Sequence, residues 1–146
     1  MNIPALYNDN ICGLTLYARQ WCGSEAEDVV SEAFLRLIRC ETPPENPKNW
    51  LYRVVRNAAI DRTRRFRWFS AKMDNWFDTL PDKSNPFDGV ELTEALEQLP
   101  AIQRETVIAK IWGNLTLQEI AEVQNRSTST VHREYLKGIE TLREKM

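Results

Sequence analysis

Hydrophobic positions recur at helical intervals along most of this chain, and no stretch alternates convincingly as a strand would. The clearest segment runs from Glu25 to Arg39. Ala26, Val29, Val30, Ala33, Phe34, Leu37 and Ile38 form a wide inward stripe, with Asp28, Glu32, Leu35, Arg36 and Arg39 opposite. Gly23-Ser24 reads as the preceding turn, with Ser24 the expected N-cap and Glu25, Glu27 and Asp28 favouring the helix start. Upstream, Pro4 to Trp21 reads as one helix or a pair broken near Gly13. Downstream, Pro43, Pro44 and Pro47 rule out regular helix across Cys40–Lys48 and predict a stiff loop. Asn49 is the expected cap of the helix that follows.

That helix, Trp50 to Arg67, has two unlike faces. Leu51, Val54, Val55 and Ala58 fit a core, while Arg53, Arg56, Asn57, Ile60, Asp61 and Arg64 fall on the other side. From Trp68 to Gly89 the period loosens and Pro81, Pro86 and Gly89 signal loops. Trp68, Phe69, Trp76, Phe77 and Phe87 make this segment too aromatic for a free linker, so a domain boundary with a docked portion is expected. A helix over Val90–Leu99 should turn Leu92, Ala95, Leu96 and Leu99 inward. Pro100 opens the next, Ala101–Trp112, with Ile102, Val107, Ile108 and Ile111 as its apolar face.

After a turn at Gly113-Asn114, Thr116 and Glu119 have capping-box spacing ahead of Leu117, Ile120, Ala121 and Val123. Asn125-Arg126 fills a tight turn. Ser127 or Thr128 then caps a last helix through Val131, Tyr135, Leu136, Ile139 and Leu142. Two helices joined by so short a turn fit a helix-turn-helix, although helical hairpins in bundles share the pattern. In that unit Thr128, Ser129, Thr130, His132 and Arg133 would enter the major groove, and Lys137 and Arg143 would reach phosphates. The expected fold is all-α, with two small helical domains at 1–67 and 91–146 joined through 68–90.

Charge sharpens this picture. The segment Arg53–Arg67 holds six Arg and one Asp, a balance of +5, while the whole chain is −2. Positive charge is thus concentrated on one helix, as on a phosphate-facing surface. The acidic pI of about 5.5 argues against an indiscriminate nucleic-acid binder. No run approaches the ~20 apolar residues of a membrane span, so no membrane insertion is expected. The N-terminus lacks a basic stretch followed by an apolar core, so no signal peptide is expected. Cys12, Cys22 and Cys40 are an odd set without a CxxC pair, which fits reduced cytosolic thiols acting as small buried apolar groups. No Gly-rich phosphate loop, metal-ligand spacing or Ser/His/Asp set suggests an enzyme or a cofactor.

Taken together, these motifs resemble a bacterial RNA polymerase sigma factor of the extracytoplasmic-function (ECF) group. AEDVVSEAFLRLIR (Ala26–Arg39) is similar to the segment that binds the clamp helices of the largest polymerase subunit. WLYRVVRNAAIDRTRR (Trp50–Arg65) is similar to the helix that reads and melts the −10 element. LPAIQRETVIAKIWGNLTLQEIAEV (Leu99–Val123) with STSTVHREYLKGIETLRE (Ser127–Glu144) is similar to the −35-reading domain.

The resemblance implies that Asp28, Glu32, Leu35, Arg36 and Arg39 face the polymerase. It implies that Asn49, Arg53, Arg56, Asn57, Asp61, Arg62, Arg64 and Arg65 serve the −10 element. Asn57 and the Pro43–Asn49 loop would hold a flipped non-template base, an extrusion that costs a few kcal/mol. Thr128, Ser129, Thr130, His132, Arg133 and Lys137 would serve the −35 element. Core polymerase, including the flap of its second subunit, and promoter DNA are the implied partners, and the family is often held by an anti-sigma factor. The chain departs from the family pattern at Gln124 and Asn125, where Leu and Gly are usual. It departs again at Arg126, where an apolar Ile is usual, and at Glu134, where a basic residue is frequent and where a carboxylate would repel phosphate. Two alternatives stay open on the sequence. One is a stand-alone helix-turn-helix regulator; the other is a sigma-like adaptor or decoy that occupies polymerase without reading promoters.

Overall fold

A computed structural model describes residues 1–67 and 90–145, with side chains at 1–64 and 94–145. Every regular element among the described residues is helical. The chain divides into two compact units, Met1–Pro81 and Asp82–Met146. The aromatic segment from Trp68 to Gly89 lies outside the described residues, as do the side chains of Arg65 and Leu92.

In the first unit α1 (Ile3–Cys22) is one uninterrupted helix, with Gly13 buried inside it rather than breaking it. The Asn2 side chain accepts the Ala5 N–H at 3.1 Å and caps its start. Gly23, at φ 54 and ψ −123, donates its N–H to the Arg19 carbonyl and ends the helix in a conformation that L side chains rarely adopt. A 3-10 turn over Gly23–Glu25 leads into α2 (Ala26–Arg39), which has no side-chain cap, so Ser24 does not take the expected role. α3 (Pro47–Arg67) begins three residues earlier than expected. Its cap is Asn46, whose side chain accepts the Asn49 N–H at 3.1 Å, and Asn49 itself is buried in the first turn.

Leu14, Tyr17 and Ala18 of α1, Val29, Val30 and Ala33 of α2, and Leu51, Tyr52, Val55 and Ala59 of α3 form the core. Each fully buried Leu or Val in such a core is worth roughly 1.5–3 kcal/mol. Val54 and Ala58, expected inward, are half-buried; Tyr52 and Ala59 take those places. On this side the Tyr52 ring meets Tyr17 edge to face at 5.1 Å. Trp50 is half-buried beside it. Ile38, also expected inward, is 57% exposed, because Leu37 fills the last inward position of α2.

The second unit contains α4 (Val90–Gln98), α5 (Ala101–Ile111), α6 (Leu117–Gln124) and α7 (Thr128–Lys145). Its core gathers Leu96, Leu99, Val107, Ile108, Leu115, Ile120, Val123, Val131 and Leu142. Ile111, expected inward, is exposed at the end of α5, as is Leu136 on α7. α5 and α7 approach closely at Gly138, where a Cβ would lie 2.8 Å from the Val107 Cγ2.

Candidate nucleic-acid and partner surfaces

The outer side of α2 is a mixed surface. Asp28, Glu32, Leu35, Arg36 and Arg39 are all exposed, and Leu35 is joined one turn on by Ile38. Leu35 and Ile38 thus make a small apolar ridge between acidic residues at one end of the helix and basic ones at the other, a composition suited to a partner's surface. Sequence reasoning found Leu35 and missed Ile38.

The outer side of α3 carries Arg53, Asn57, Asp61 and Arg64, all exposed. At 3.6 residues per turn these four fall within roughly 80° of arc and form one continuous stripe. Arg56 lies beside the stripe, half-buried, with its guanidinium carbon 5.7 Å from the centre of the Trp21 ring, a cation–π arrangement. Asn49 is buried in the first turn of the helix, one turn before Arg53 on the same side.

Arg62 leaves this stripe. Its guanidinium donates to Glu25 Oε2 at 2.8 Å, Asp28 Oδ2 at 2.9 Å and Glu32 Oε1 at 2.8 Å. The three acceptors recur at intervals of three and four residues along one side of the 3-10 turn and α2. These bonds, with Asp28 foremost, raise the Arg62 pKa further above its already high ordinary value. Asp28 and Glu32 therefore serve a contact within the unit as well as lying on its surface. Next to Arg62, the Thr63 hydroxyl donates to the Trp21 carbonyl.

A second cross-helix pair is less exposed on one side. Arg19 is buried and meets Glu27 at 3.2 Å. Burial lowers the Arg19 pKa, and the Glu27 charge opposes that shift.

In the second unit the capping box is formed as the spacing predicted. Thr116 accepts the Glu119 N–H at 3.1 Å, and the Glu119 carboxylate accepts the Thr116 N–H at 2.9 Å. Asn125 takes the left-handed conformation, φ 56 and ψ 49, that the family's glycine would otherwise supply. Gln124 is buried, and its amide donates to the Thr106 hydroxyl at 3.2 Å. Arg126 is exposed, and its backbone N–H donates to the Ala121 carbonyl at 3.0 Å.

Ser127, not Thr128, caps α7, accepting the Thr130 N–H at 3.2 Å. Thr128, Ser129, His132 and Arg133 are exposed on its first turns, and Thr130 is half-buried. Lys137 is exposed and lies 3.9 Å from Glu134. The Glu134 side chain is only 16% exposed, so it lies along the flank of the helix. Leu136, exposed one turn beyond His132 and Arg133, was not among the predicted site residues.

The remaining candidate chemistry is sparse. Cys12, expected to be buried, is exposed. Cys22 donates to the Ala18 carbonyl at 3.3 Å, and burial pushes its thiol pKa up to about 11, which keeps it protonated and unreactive near neutral pH. Among the described residues no His, Cys, Asp and Glu cluster could hold a metal ion, and no helix is long and apolar enough to cross a membrane.

Comparison with known proteins bears on both units. The sigma-70 region 2 family matches residues 6–69, and the sigma-70 region 4 family matches residues 89–142. The ECF RNA polymerase sigma factor SigW of Bacillus subtilis is 30% identical, over 99% of this chain and 87% of that protein. The sigma factor SigV of the same organism is 28% identical, over 82% of this chain and 74% of that protein. Among solved structures, the sigma factor RpoE of Bartonella quintana, in complex with the anti-sigma factor NepR, shares the fold. Its TM-score is 0.69 at 21% identity, covering 98% of this chain and 90% of that one.

Proposed function

We propose that the three surfaces divide one task between them, because this chain belongs to the sigma-70 family of RNA polymerase sigma factors, in its extracytoplasmic-function group. It binds core RNA polymerase and directs initiation at promoters. In our assignment the outer side of α2 docks on the clamp helices of the largest subunit through Asp28, Glu32, Leu35, Arg36 and Arg39, with Ile38 extending the apolar ridge. The stripe Arg53, Asn57, Asp61 and Arg64, with Arg56 beside it and Arg65 beyond it, meets the −10 element. Asn57 holds an extruded base against the loop ahead of α3. The first turns of α7 read the −35 element through Thr128, Ser129, Thr130, His132 and Arg133, with Lys137 on the phosphates. The second unit also meets the flap of the second subunit.

The observation that supports this division most directly is the pairing of the exposed Leu35–Ile38 ridge with a separate basic stripe on the same helical unit. One surface can hold a protein while the other holds a nucleic acid. The chain contributes binding and strand separation, and the polymerase performs the chemistry; the compartment is the cytoplasm, where polymerase is found. An anti-sigma factor covering the α2 or α7 surfaces fits the same exposed residues.

The test is initiation from a promoter library by purified chain and bacterial core polymerase. Specific starts, with enriched sequences at −35 and −10, are the expected result. Polymerase binding without starts would replace this assignment with the decoy. Duplex binding without polymerase binding would replace it with the lone regulator.

A further inference from the structure

We infer that Arg62 is a positioning residue for promoter opening: it ties the far end of the DNA-facing helix to the polymerase-facing helix and does not contact DNA. The inference rests on the assignment of surfaces above.

Three observations carry it. First, Arg62 lies roughly 180° around the helix axis from Arg53, on the side away from the stripe. Second, all three of its hydrogen bonds cross to Glu25, Asp28 and Glu32, and its side chain is only 22% exposed although those carboxylates are substantially open. Third, apolar anchoring runs out just before it. Leu51, Tyr52, Val55 and Ala59 are fully covered, whereas no residue from Ile60 to Arg64 is buried. Asp61 and Arg64, the last described members of the stripe, therefore rest on a turn held chiefly by polar ties. Those ties are the Arg62 bonds and the Thr63 hydroxyl on the Trp21 carbonyl.

The physical consequence follows from where force is applied. Separating strands against the stripe pushes on the end of α3. A planar guanidinium fixed by three charge-assisted bonds resists displacement in more than one direction, which a single ammonium cannot do as well. Because Asp28 and Glu32 also lie on the docking surface, the tie makes the position of the DNA stripe depend on the helix that the polymerase holds. Binding to polymerase needs only the outer side of α2. Opening needs both helices in register.

The experiment uses the full chain, core polymerase and two templates of one promoter, a duplex and a version premelted across the −10 region. With polymerase saturated, so that freeing the docking residues Asp28 and Glu32 does not enter the rate, Arg62→Gln should leave initiation on the premelted template unchanged. It should slow opening of the duplex roughly tenfold, the scale on which the loss of one partly exposed ionic tie acts on a barrier. Arg62→Lys should restore part of that rate, and Glu25→Gln, which removes one of the three negative charges and no proposed polymerase contact, should reproduce a smaller loss. If Arg62→Gln does not fold by circular dichroism, Glu25→Gln carries the test alone. Equal loss on both templates would overturn the inference in favour of a direct strand contact. A matching loss of polymerase affinity, or no loss at all, would overturn it too. Failure of the unmutated chain on both templates would sink the assignment of surfaces itself, whereas its success beside an unaffected Arg62→Gln sinks only this inference.

Discussion

The two units present their functional side chains by different means. In the first unit the ties are distant in sequence: Arg62 reaches back 37 residues to Glu25, and Thr63 reaches 42 residues to Trp21. In the second, Thr116 and Glu119 cap each other across three residues, and Ser127 caps Thr130 across three more. A duplex-reading helix needs its first turn aimed correctly, and local caps suffice for that. In the role we propose for it, α3 holds separated strands, is loaded along its length and draws its hold from neighbouring helices. The difference suggests that variation in the first unit propagates between surfaces, while variation in the second stays near its site.

Leu35→Asp should have the largest effect and sharpen the contrast. It places a charge on the exposed apolar ridge of α2, away from the core and from Arg62. We expect polymerase affinity to fall by about 4 kcal/mol, as for a strong interface hot spot, with an unchanged melting temperature. An unchanged affinity in a binding titration would remove Leu35 from the docking surface.

Gly138→Val tests whether the second unit is as local as its caps suggest. A Cβ there meets Val107 Cγ2 at 2.8 Å, and the added methyls must displace α5 or α7. We expect a loss of about 3 kcal/mol in denaturant titration, the upper range for overpacking. A neutral result would show that the helix contact is loose.

Asn57→Ala should lower discrimination among −10 sequences by about 2 kcal/mol, the worth of a good base contact, while polymerase binding persists. Equal weakening at every promoter variant in a competition assay would count against the base pocket. The smallest effect belongs to Thr116→Ala. It should cost about 1 kcal/mol and raise amide exchange only in the first turn of α6. Faster exchange throughout α7 would break the comparison, because it would make the cap a long-range tie.

The same contrast explains what could be read from the chain. The capping box is set by residues three positions apart, so spacing revealed it, and the α7 cap was narrowed to Ser127 or Thr128. The all-helical fold and the helix-turn-helix followed from apolar periodicity. The inward side of α3 was misjudged at Val54 and Ala58 because its partners, such as Tyr17 against Tyr52, are far apart in sequence. Asn46 was passed over for Asn49 because Pro47, read as a helix breaker, in fact stands in the first turn, where proline is tolerated. Arg62 resembled its arginine neighbours in sequence, and only its partners on the 3-10 turn and α2 distinguish it. Ile38 fitted the inward period until the fold left it without a neighbour to cover it.

One further consequence concerns biosynthesis. α1 meets α3 with both helices advancing in the same direction: Tyr17 touches Tyr52, and farther along Trp21 touches Arg56 and Thr63. The apolar side of α1 therefore finds its largest partner only after α2 has run back and α3 has been made. At about 5–20 residues per second, Tyr17 waits roughly 2–7 s for Tyr52 to be synthesised. During that interval α1 and α2 form an amphipathic hairpin with its aromatic side uncovered. The first unit's core is thus completed across 35 residues, whereas the two helices of the helix-turn-helix are made one directly after the other.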